Sequence, residues 1–437
     1  MSYLHPTLRP WPARFAHSLL LAALSVSLPQ IGHVPTAAAS EDKHPASGDD
    51  PVARLTEEAQ RGVGRAQYEL ASLYLRGHRV QKDYAQALHW NRQAVRQGIA
   101  LAANDLGCMY QWGWGVGQDH QYAVRWYRQA ADGGEPLAQF NLAMMYRDGL
   151  GVPQDMAESI RWHSRAATHG FARSQHAVGF AYHTGRGLRQ DYEKARHWFR
   201  KAAAQGWAHS ENNLGVMYRD GHGVAKDYGQ ALEWFRRAAD RGDAEAQNNL
   251  GQMYETGRGF IRDECQAVAW YRKAADQGLA LAQQNLGLAH AAGRGAEKNE
   301  AEALRWFTLA AQGGSVTAQL EVADRHQFAR GTPRNYRQAF KWYHRAADQG
   351  NALAQNRLGH LITNGYGVQR DYAVALQWFR LAARQGLADA QANVGIMYVN
   401  GWGVPQDRTE GIALLLKASD RGSRIAADSL QQMGVRA

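Results

Sequence analysis

Apolar side chains along the chain follow the spacing of helices that face a core on one side. In the stretch that starts at Ser210, Leu214, Met217 and Tyr218 fall on one face, and the stretch ends at Gly221. Glycine is favoured directly after a helix because it tolerates positive φ. The pattern predicts a first helix, which we call helix A.

A second helix, helix B, is predicted after a short polar loop. Asp227 stands where a side chain accepts hydrogen bonds from the free backbone amides of a helix N-terminus, and the same slot holds Asp or Asn in all ten units. Ala231, Trp234 and Ala238 then share one face, and Gly242 ends the segment. Each unit is therefore predicted to form two helices joined by a loop.

This two-helix unit recurs every 36 residues. One tryptophan marks the period at nine successive positions: Trp90, Trp126, Trp162, Trp198, Trp234, Trp270, Trp306, Trp342 and Trp378. Helices this short are marginal in water by themselves, so neighbouring units must stack. The sequence predicts an all-α solenoid of antiparallel helix pairs, in which tryptophan and tyrosine rings fill the space between units. Ten repeats are expected over residues 66–425, with half-repeat caps at 52–65 and 426–437.

The beginning of the chain is typical of an exported protein. Residues 1–39 contain two arginines and no acidic residue, and their apolar run Leu19–Leu28 is too short to span a bilayer. Small residues follow, so a signal peptide cleaved after Ala39 is expected, with an uncleaved anchor as the alternative. Residues 40–51 are polar and rich in helix breakers, and they are predicted to form a linker. The mature protein is therefore expected in the periplasm or outside the cell.

Composition narrows the class of protein further. An apolar fraction of 45% and a charged fraction of 21% exclude a wholly disordered chain and a polytopic membrane protein. The formal net charge is +10. Cys108 and Cys265 are the two cysteines, so no disulfide framework is expected. Both are predicted to be unpaired, because they lie four units apart.

The repeat has a recognisable motif. One unit contains, in order, Ala246-Gln247-Asn248-Asn249-Leu250-Gly251, Met253-Tyr254, Gly257-Arg258-Gly259, Asp263, Ala267, Trp270-Tyr271, Ala274-Ala275 and Gly278. This pattern resembles the Sel-1-like repeat, a relative of the tetratricopeptide repeat. The resemblance implies a right-handed superhelix that binds protein partners, and bacterial members that are periplasmic or secreted. The cysteines that staple each repeat in one bacterial subgroup are missing here, so nothing known of that subgroup is expected to apply.

Large aromatic residues near the loop between the two helices are candidate partner-binding residues. The residue between the two loop glycines should be exposed, and it is aromatic at Trp114, Tyr366 and Trp402, with Trp112 close by. Aromatic side chains dominate binding hot spots, which favours a role as partner anchors. The alternative is that these rings fold back over the adjacent helix.

A second candidate site is a row of asparagines at one slot of helix A, formed by Asn141, Asn213, Asn249, Asn285 and Asn393. In the related tetratricopeptide proteins, polar helix A residues line a groove that binds extended peptides. A repeated amide can bond a peptide backbone without requiring a particular sequence. The alternative is a hydrogen bond between neighbouring repeats.

Helix B carries a row of arginines that we call the basic stripe, formed by Arg92, Arg128, Arg200, Arg236, Arg272 and Arg380. Such a surface can attract an anionic polysaccharide or lipid headgroups. The alternative is a solvated face, because acidic residues follow several of these arginines at the spacing of helical ion pairs. Nucleic acid is not an expected partner of an exported protein.

The chain lacks the sequence motifs of catalytic and metal sites. No Gly-x-Ser-x-Gly, Cys-x-x-Cys or His-Glu-x-x-His occurs, and the scattered histidines do not have the spacing of a helical zinc site. We therefore expect no catalytic residues, no metal and no cofactor. The favoured interpretation is a monomeric, non-enzymatic scaffold or adaptor of the bacterial cell envelope or secreted space. A polysaccharide-associated or peptidoglycan-associated envelope protein is the first alternative, and a hydrolase is the second.

The eighth unit departs furthest from the others. Arg325 occupies a slot that is Leu, Met or Ala elsewhere, and Glu321 is the nearest residue that can neutralise it. Ala329 replaces the glycine that ends helix A in other units. A hinge or a specialised partner site is predicted at residues 320–334, and simple drift is the alternative.

Overall fold

The computed structural model describes residues 50–259 and 261–435. The predicted signal peptide, nearly all of the predicted linker and the last two residues of the C-terminal cap lie outside the described residues. The chain divides into two compact units after Arg54. The second unit, which begins at Leu55, contains all ten repeats. In the described ranges the regular structure is α-helical, and no strand occurs.

Helix α1 spans Pro51–Gln60 and α22 spans Arg424–Gln432, and the ten repeats lie between them. The helices A are α2 Gly64–Arg76, α4 Ala100–Trp112, α6 Pro136–Asp148, α8 Ala172–Thr184, α10 Ala208–Asp220, α12 Ala244–Thr256, α14 Ala280–Ala292, α16 Val316–Phe328, α18 Ala352–Asn364 and α20 Ala388–Asn400. The helices B are α3 Tyr84–Arg96, α5 His120–Asp132, α7 Met156–Thr168, α9 Tyr192–Ala204, α11 Tyr228–Asp240, α13 Glu264–Asp276, α15 Glu300–Gln312, α17 Tyr336–Asp348, α19 Tyr372–Arg384 and α21 Arg408–Asp420.

The ends of the helices follow the predicted caps. Every helix B begins after an Asp or Asn whose side chain accepts a backbone N–H, as Asp227 does from Gln230 at 3.0 Å. Nine of the ten helices A end at a left-handed glycine such as Gly221, whose N–H donates to the carbonyl of Met217. The tenth is α16, where Ala329 adopts a φ of 58°. The predicted capping chemistry is confirmed.

The two helices of a repeat run antiparallel and approach closely. The N–H of Asp263 donates to the carbonyl of Tyr254 at 3.0 Å, which joins the end of α12 to the start of α13. Earlier in α12, Gly251 faces Tyr271, two turns into α13, and a Cβ at Gly251 would lie 2.6 Å from the tyrosine ring. Glycine is therefore required where the ring packs. The predicted all-α solenoid of antiparallel helix pairs is confirmed.

The rings that fill each repeat are not the tryptophans that mark the period. Six of those nine tryptophans are only half-buried, among them Trp234. The residue after the tryptophan is 2% exposed or less in seven repeats: Tyr127, Phe199, Phe235, Tyr271, Phe307, Tyr343 and Phe379. This second ring faces the small residue of helix A in its own repeat, whereas the indole packs against the preceding repeat, as Trp234 does against the cluster that contains Ala195 and Phe199. The tryptophans thus lie between units, as expected, and in seven repeats the ring that follows fills the repeat itself.

Glutamine side chains join successive repeats. Gln247 Nε2 donates to the carbonyl of Ala239 at 3.1 Å, in the last turn of the preceding helix B. Its own Oε1 accepts from Gln277 Nε2 of the same repeat at 2.8 Å. The first of these bonds recurs at Gln67, Gln139, Gln175, Gln283, Gln319 and Gln355. These side chains satisfy carbonyls that a helix end leaves free.

Candidate functional site

The asparagine row of helix A forms hydrogen bonds between repeats. Four of its five members donate through Nδ2 to the Oδ1 of an asparagine in the preceding helix A: Asn141 to Asn104 at 2.9 Å, Asn249 to Asn212 at 2.9 Å, Asn285 to Asn248 at 2.9 Å and Asn393 to Asn356 at 2.8 Å. Asn213 stands outside this pattern. The acceptor asparagine lies 37 residues earlier in the other pairs, and for Asn213 that position is His176. We call these bonded pairs the amide ladder, and they agree with the alternative of inter-repeat bonding.

The amide ladder is densest in α10, α12 and α14. Asn248 and Asn249 are adjacent, so two bonded pairs follow each other without a gap, and Ser315 donates to Gln284 at 3.0 Å beside them. Asn249 and Asn285 remain half-buried. Each Nδ2 carries two hydrogens, and the ladder bond uses one of them. A role of these amides in partner binding stays a prediction.

A carboxylate occupies the asparagine slot in the second repeat. Asp105 is buried, and burial raises the pKa of its carboxyl to about 7 despite a hydrogen bond from Asn104. The neighbouring Cys108 thiol has its pKa raised to about 12, mainly by burial and further by Asp105. The structure records both Cys108 and Cys265 as free thiols, as predicted.

The two candidate tryptophans of the second repeat lie in different settings. Trp112 is the last residue of α4 and is half-buried. Trp114 stacks on Tyr84 of the first repeat, with ring centroids 6.1 Å apart, and packs against the buried cluster that contains Leu75 and Met109. Trp114 thus folds back over the adjacent helix.

Tyr366 and Trp402 are stacked and yet exposed. Tyr366 lies on Tyr336 at 4.6 Å and 14°, and Trp402 lies on Tyr372 at 5.3 Å and 13°. The lower rings, Tyr336 and Tyr372, pack against a buried cluster, whereas Tyr366 is 44% exposed and Trp402 37%. The upper rings fold back over the preceding repeat, and they also present aromatic surface to solvent.

Most arginines of the basic stripe are hydrogen-bonded to tyrosines of the next repeat. Nη2 of the arginine donates to the tyrosine Oη in the pairs Arg92–Tyr110, Arg128–Tyr146, Arg200–Tyr218, Arg236–Tyr254 and Arg380–Tyr398. Basic side chains one position further on stack on the half-buried indoles, as Arg237 does on Trp234. The stripe keeps its charge, but its side chains help to join repeats.

Histidines concentrate in the third to fifth repeats, where they act in packing. His163 and His176 each share a hydrogen bond with a serine hydroxyl, and burial lowers the pKa of both imidazoles to about 3. His183 Nε2 and His222 Nδ1 lie 3.2 Å apart across two repeats. In the ranges that the structure describes, no three His, Cys, Asp or Glu side chains come together so that they could hold a metal ion.

The buried arginine of the eighth repeat is neutralised. Arg325 is 3% exposed, it pairs with Glu321 as predicted, and its Nη2 also lies 3.4 Å from Glu300 Oε2 of the preceding repeat. Its guanidinium stacks on Phe307 at 4.4 Å. Helix α16 continues without interruption to Phe328. Sequence reasoning missed Glu300, because it lies 25 residues away in another helix.

No helix among the described residues is long and apolar enough to cross a membrane. No curated protein matches the chain. Solved structures do match the chain, and two of them are about a third identical to it over the aligned residues. A protective antigen of uropathogenic Escherichia coli strains, which displays an SLR fold, is 34% identical, with 89% of this chain and 92% of that chain covered and a TM-score of 0.46. A Sel1 repeat protein from Oxalobacter formigenes is 35% identical, with 71% and 90% covered and a TM-score of 0.49.

The family model of the Sel1 repeat matches ten consecutive segments of the chain. They are residues 64–99, 100–135, 136–171, 172–207, 208–243, 244–279, 280–315, 316–351, 352–387 and 388–423. Each segment begins at or within a few residues of a helix A and ends just after a helix B. The matches run without a gap over well more than half of the 437 residues. The chain therefore belongs to the Sel1 repeat family.

Proposed function

We propose that this protein is a non-enzymatic scaffold of the bacterial cell envelope or secreted space, which binds an extended segment of a protein partner along its helices A. Sel1 repeat proteins mediate protein–protein interaction. The observation that carries the proposal for this chain is the amide ladder of α10, α12 and α14. The remaining amide hydrogens there belong to side chains that their neighbours already hold in place.

Preorganised amides suit the backbone of an extended peptide. A peptide offers a carbonyl and an N–H at every residue, and an asparagine amide can bond either group. Because the ladder bonds fix the asparagine side chains before the partner arrives, less conformational entropy is lost on binding. This chemistry requires no catalytic group and no cofactor, and a monomer suffices for it.

Site-specific crosslinking tests the partner surface. A photoreactive residue placed at Gln252, one turn after Asn249 in α12 and outside the amide ladder, is expected to capture a discrete partner in living cells, which mass spectrometry then identifies. The matched control is the same residue placed at Glu233, an exposed position on helix B of the fifth repeat. Capture of the same species with equal yield at both positions would contradict binding along the helices A.

The proposed location rests on the charge and apolar pattern of residues 1–39. Intact-mass measurement of the exported protein is expected to show a chain that begins at Ser40. A cytoplasmic protein that retains Met1 would overturn the envelope or secreted location, but not the binding surface.

A further inference from the structure

The ninth and tenth repeats carry the same two-ring arrangement at neighbouring positions. In each, the ring between the two loop glycines lies on the tyrosine that begins the preceding helix B, as Tyr366 does on Tyr336 and Trp402 on Tyr372. We call these two pairs, together with Arg334 and Arg370, the aromatic edge. One face of each upper ring is covered by its tyrosine, so its exposed surface lies on the other face and the rim.

The backbone holds the upper rings in place. Gly367 and Gly403 follow them with φ of 71° and 69°, both in the left-handed region. A Cβ at either glycine would lie 2.4 Å from the backbone carbonyl carbon of the tyrosine below, at Tyr336 or Tyr372. Because only glycine permits this approach, the loop delivers the preceding ring directly onto the tyrosine. The exposed rings are thus positioned by the loop backbone and by stacking on one face.

Cationic side chains accompany both stacks. The Arg334 guanidinium lies 5.8 Å from the centroid of Tyr336, and Arg370 lies 5.8 Å from that of Tyr372. Both arginines are exposed, and Arg370 Nη1 donates to the Tyr372 hydroxyl at 3.4 Å within its own repeat, a bond that does not join repeats. Arg330 and Arg337 add positive charge nearby, and both are exposed. The aromatic edge therefore combines flat apolar surface with positive charge.

We propose that the aromatic edge binds an anionic polysaccharide whose sugar rings carry carboxylates. The C–H-bearing face of a pyranose packs on an exposed aromatic ring, and a carboxylate attached to the sugar accepts hydrogen bonds from an adjacent guanidinium. A linear chain of such sugars offers one apolar ring face to each of the two stacks. This ligand goes beyond the proposed protein partner and uses a different surface.

The aromatic edge suits a polyanion better than the basic stripe of helix B does. Five of the six stripe arginines already donate to a tyrosine, so a ligand there would compete with bonds that join repeats. An acidic peptide could use the same arginines. Two exposed aromatic faces on successive repeats favour a ligand whose apolar ring faces recur along a chain, which a polysaccharide supplies and an acidic peptide does not.

Calorimetry with the full-length mature protein and hexagalacturonate as the probe tests the proposal. Binding is expected at low ionic strength and should weaken as salt is added, because the arginine contacts are exposed. Trp402→Ala is expected to lower the affinity about fivefold or more. Trp402→Phe should retain most of the affinity, because it keeps an aromatic face. Arg370→Gln should weaken binding and reduce its dependence on salt.

The matched control is Trp114→Ala, which removes a ring stacked in the same way but packed against a buried cluster. It should leave hexagalacturonate affinity unchanged, and unchanged circular dichroism should verify the fold of every variant. Equal affinity of the parent protein and Trp402→Ala would overturn the proposal. So would hexaglutamate bound as tightly as hexagalacturonate with the same dependence on Trp402, because the ligand would then be an acidic peptide. Neither result bears on protein binding at the amide ladder.

Discussion

Single buried groups determine how this protein responds to pH. Asp105 stands in the asparagine slot of helix A, and burial raises its carboxyl pKa to about 7, above the value of about 3.9 in an unfolded chain. Ionisation is therefore less favourable in the folded state. The stabilising effect of the neutral carboxyl is lost as pH rises from about 4 through about 7.

Asp105→Asn is accordingly expected to stabilise the protein at alkaline pH. The amide has the shape of the carboxyl without its charge, so the free energy of unfolding should rise by about 2 to 4 kcal/mol at pH 8 and by less than about 1 kcal/mol at pH 4. Urea denaturation at the two pH values measures the difference. An equal gain at both would show that the effect does not come from ionisation.

The two cysteines should differ in reactivity. Burial raises the pKa of the Cys108 thiol to about 12, and its Sγ lies 3.3 Å from the Tyr127 hydroxyl, whereas Cys265 is exposed. Since the thiolate is the reactive form, a disulfide reagent at pH 8 should label Cys265 rapidly and Cys108 slowly. In denaturant both should react at similar rates. Rapid labelling of two thiols in the native protein would contradict the burial of Cys108.

Sequence reasoning identified the right slots of the repeat without identifying what each side chain contacts. The bond of Asn249 to Asn212 joins residues 37 positions apart, one more than the period, so comparison of equivalent slots does not reveal it. Trp234 marks the period but lies at the edge of its repeat, whereas Phe235 fills the centre. Burial depth depends on how two helices approach, and periodicity alone does not specify that distance.

At the scale of the helices, one repeat joins its own two helices with charges instead of amides. Glu211 replaces the glutamine of helix A and is fully buried, with Arg241 Nε at 3.1 Å and Arg237 Nη2 at 3.0 Å. Arg241 stands where four other repeats have the glutamine partner. The two departures therefore compensate for each other.

Arg241→Gln alone is expected to cost about 1 to 3 kcal/mol, because the buried Glu211 carboxylate loses one of its two cations. The double variant Glu211→Gln/Arg241→Gln should recover most of this loss, because it recreates the glutamine pair of Gln247 and Gln277. A double-mutant cycle by urea denaturation measures the coupling. Additive losses would show that the two residues do not act together.

Helix α16 ends on a residue that its conformation does not suit. Ala329 has a φ of 58°, in the left-handed region that disfavours a Cβ. Ala329→Gly is expected to raise the free energy of unfolding by about 0.5 to 1 kcal/mol, and thermal denaturation measures it. The matched control is Gly365→Ala at the same slot of the next repeat, where φ is 67° and the nearest atom would lie 3.5 Å away. It should be destabilising, and a neutral result in both variants would contradict strain at this slot.

Helix ends were the most predictable feature of the fold. An Asp or Asn before helix B and a glycine after helix A act through bonds within four residues, so their spacing is visible in the sequence. The partner of Arg325 was only half predictable. Glu321 lies one turn earlier in the same helix, but Glu300 comes close only when the repeats stack.

At the scale of the whole molecule, local stability is expected to dip in the eighth repeat. Arg325 needs two carboxylates where other repeats bury an apolar side chain, and Ala329 holds a disfavoured conformation. We expect hydrogen exchange to show less protection in α16 than in α14 and α18, as a hinge at residues 320–334 requires. Protection equal to that of α10 and α12 would rule the hinge out.

The glutamine bonds between repeats also bear on how such a gene can change in length. Gln247 reaches a carbonyl eight residues earlier, and each such bond joins a repeat to the one before it. Gain or loss of a whole 36-residue unit by recombination between tandem copies leaves an equivalent carbonyl in front of every glutamine. A single codon inserted between Ala239 and Gln247 would shift the glutamine away from its acceptor. Change by complete units is therefore the route that conserves these contacts.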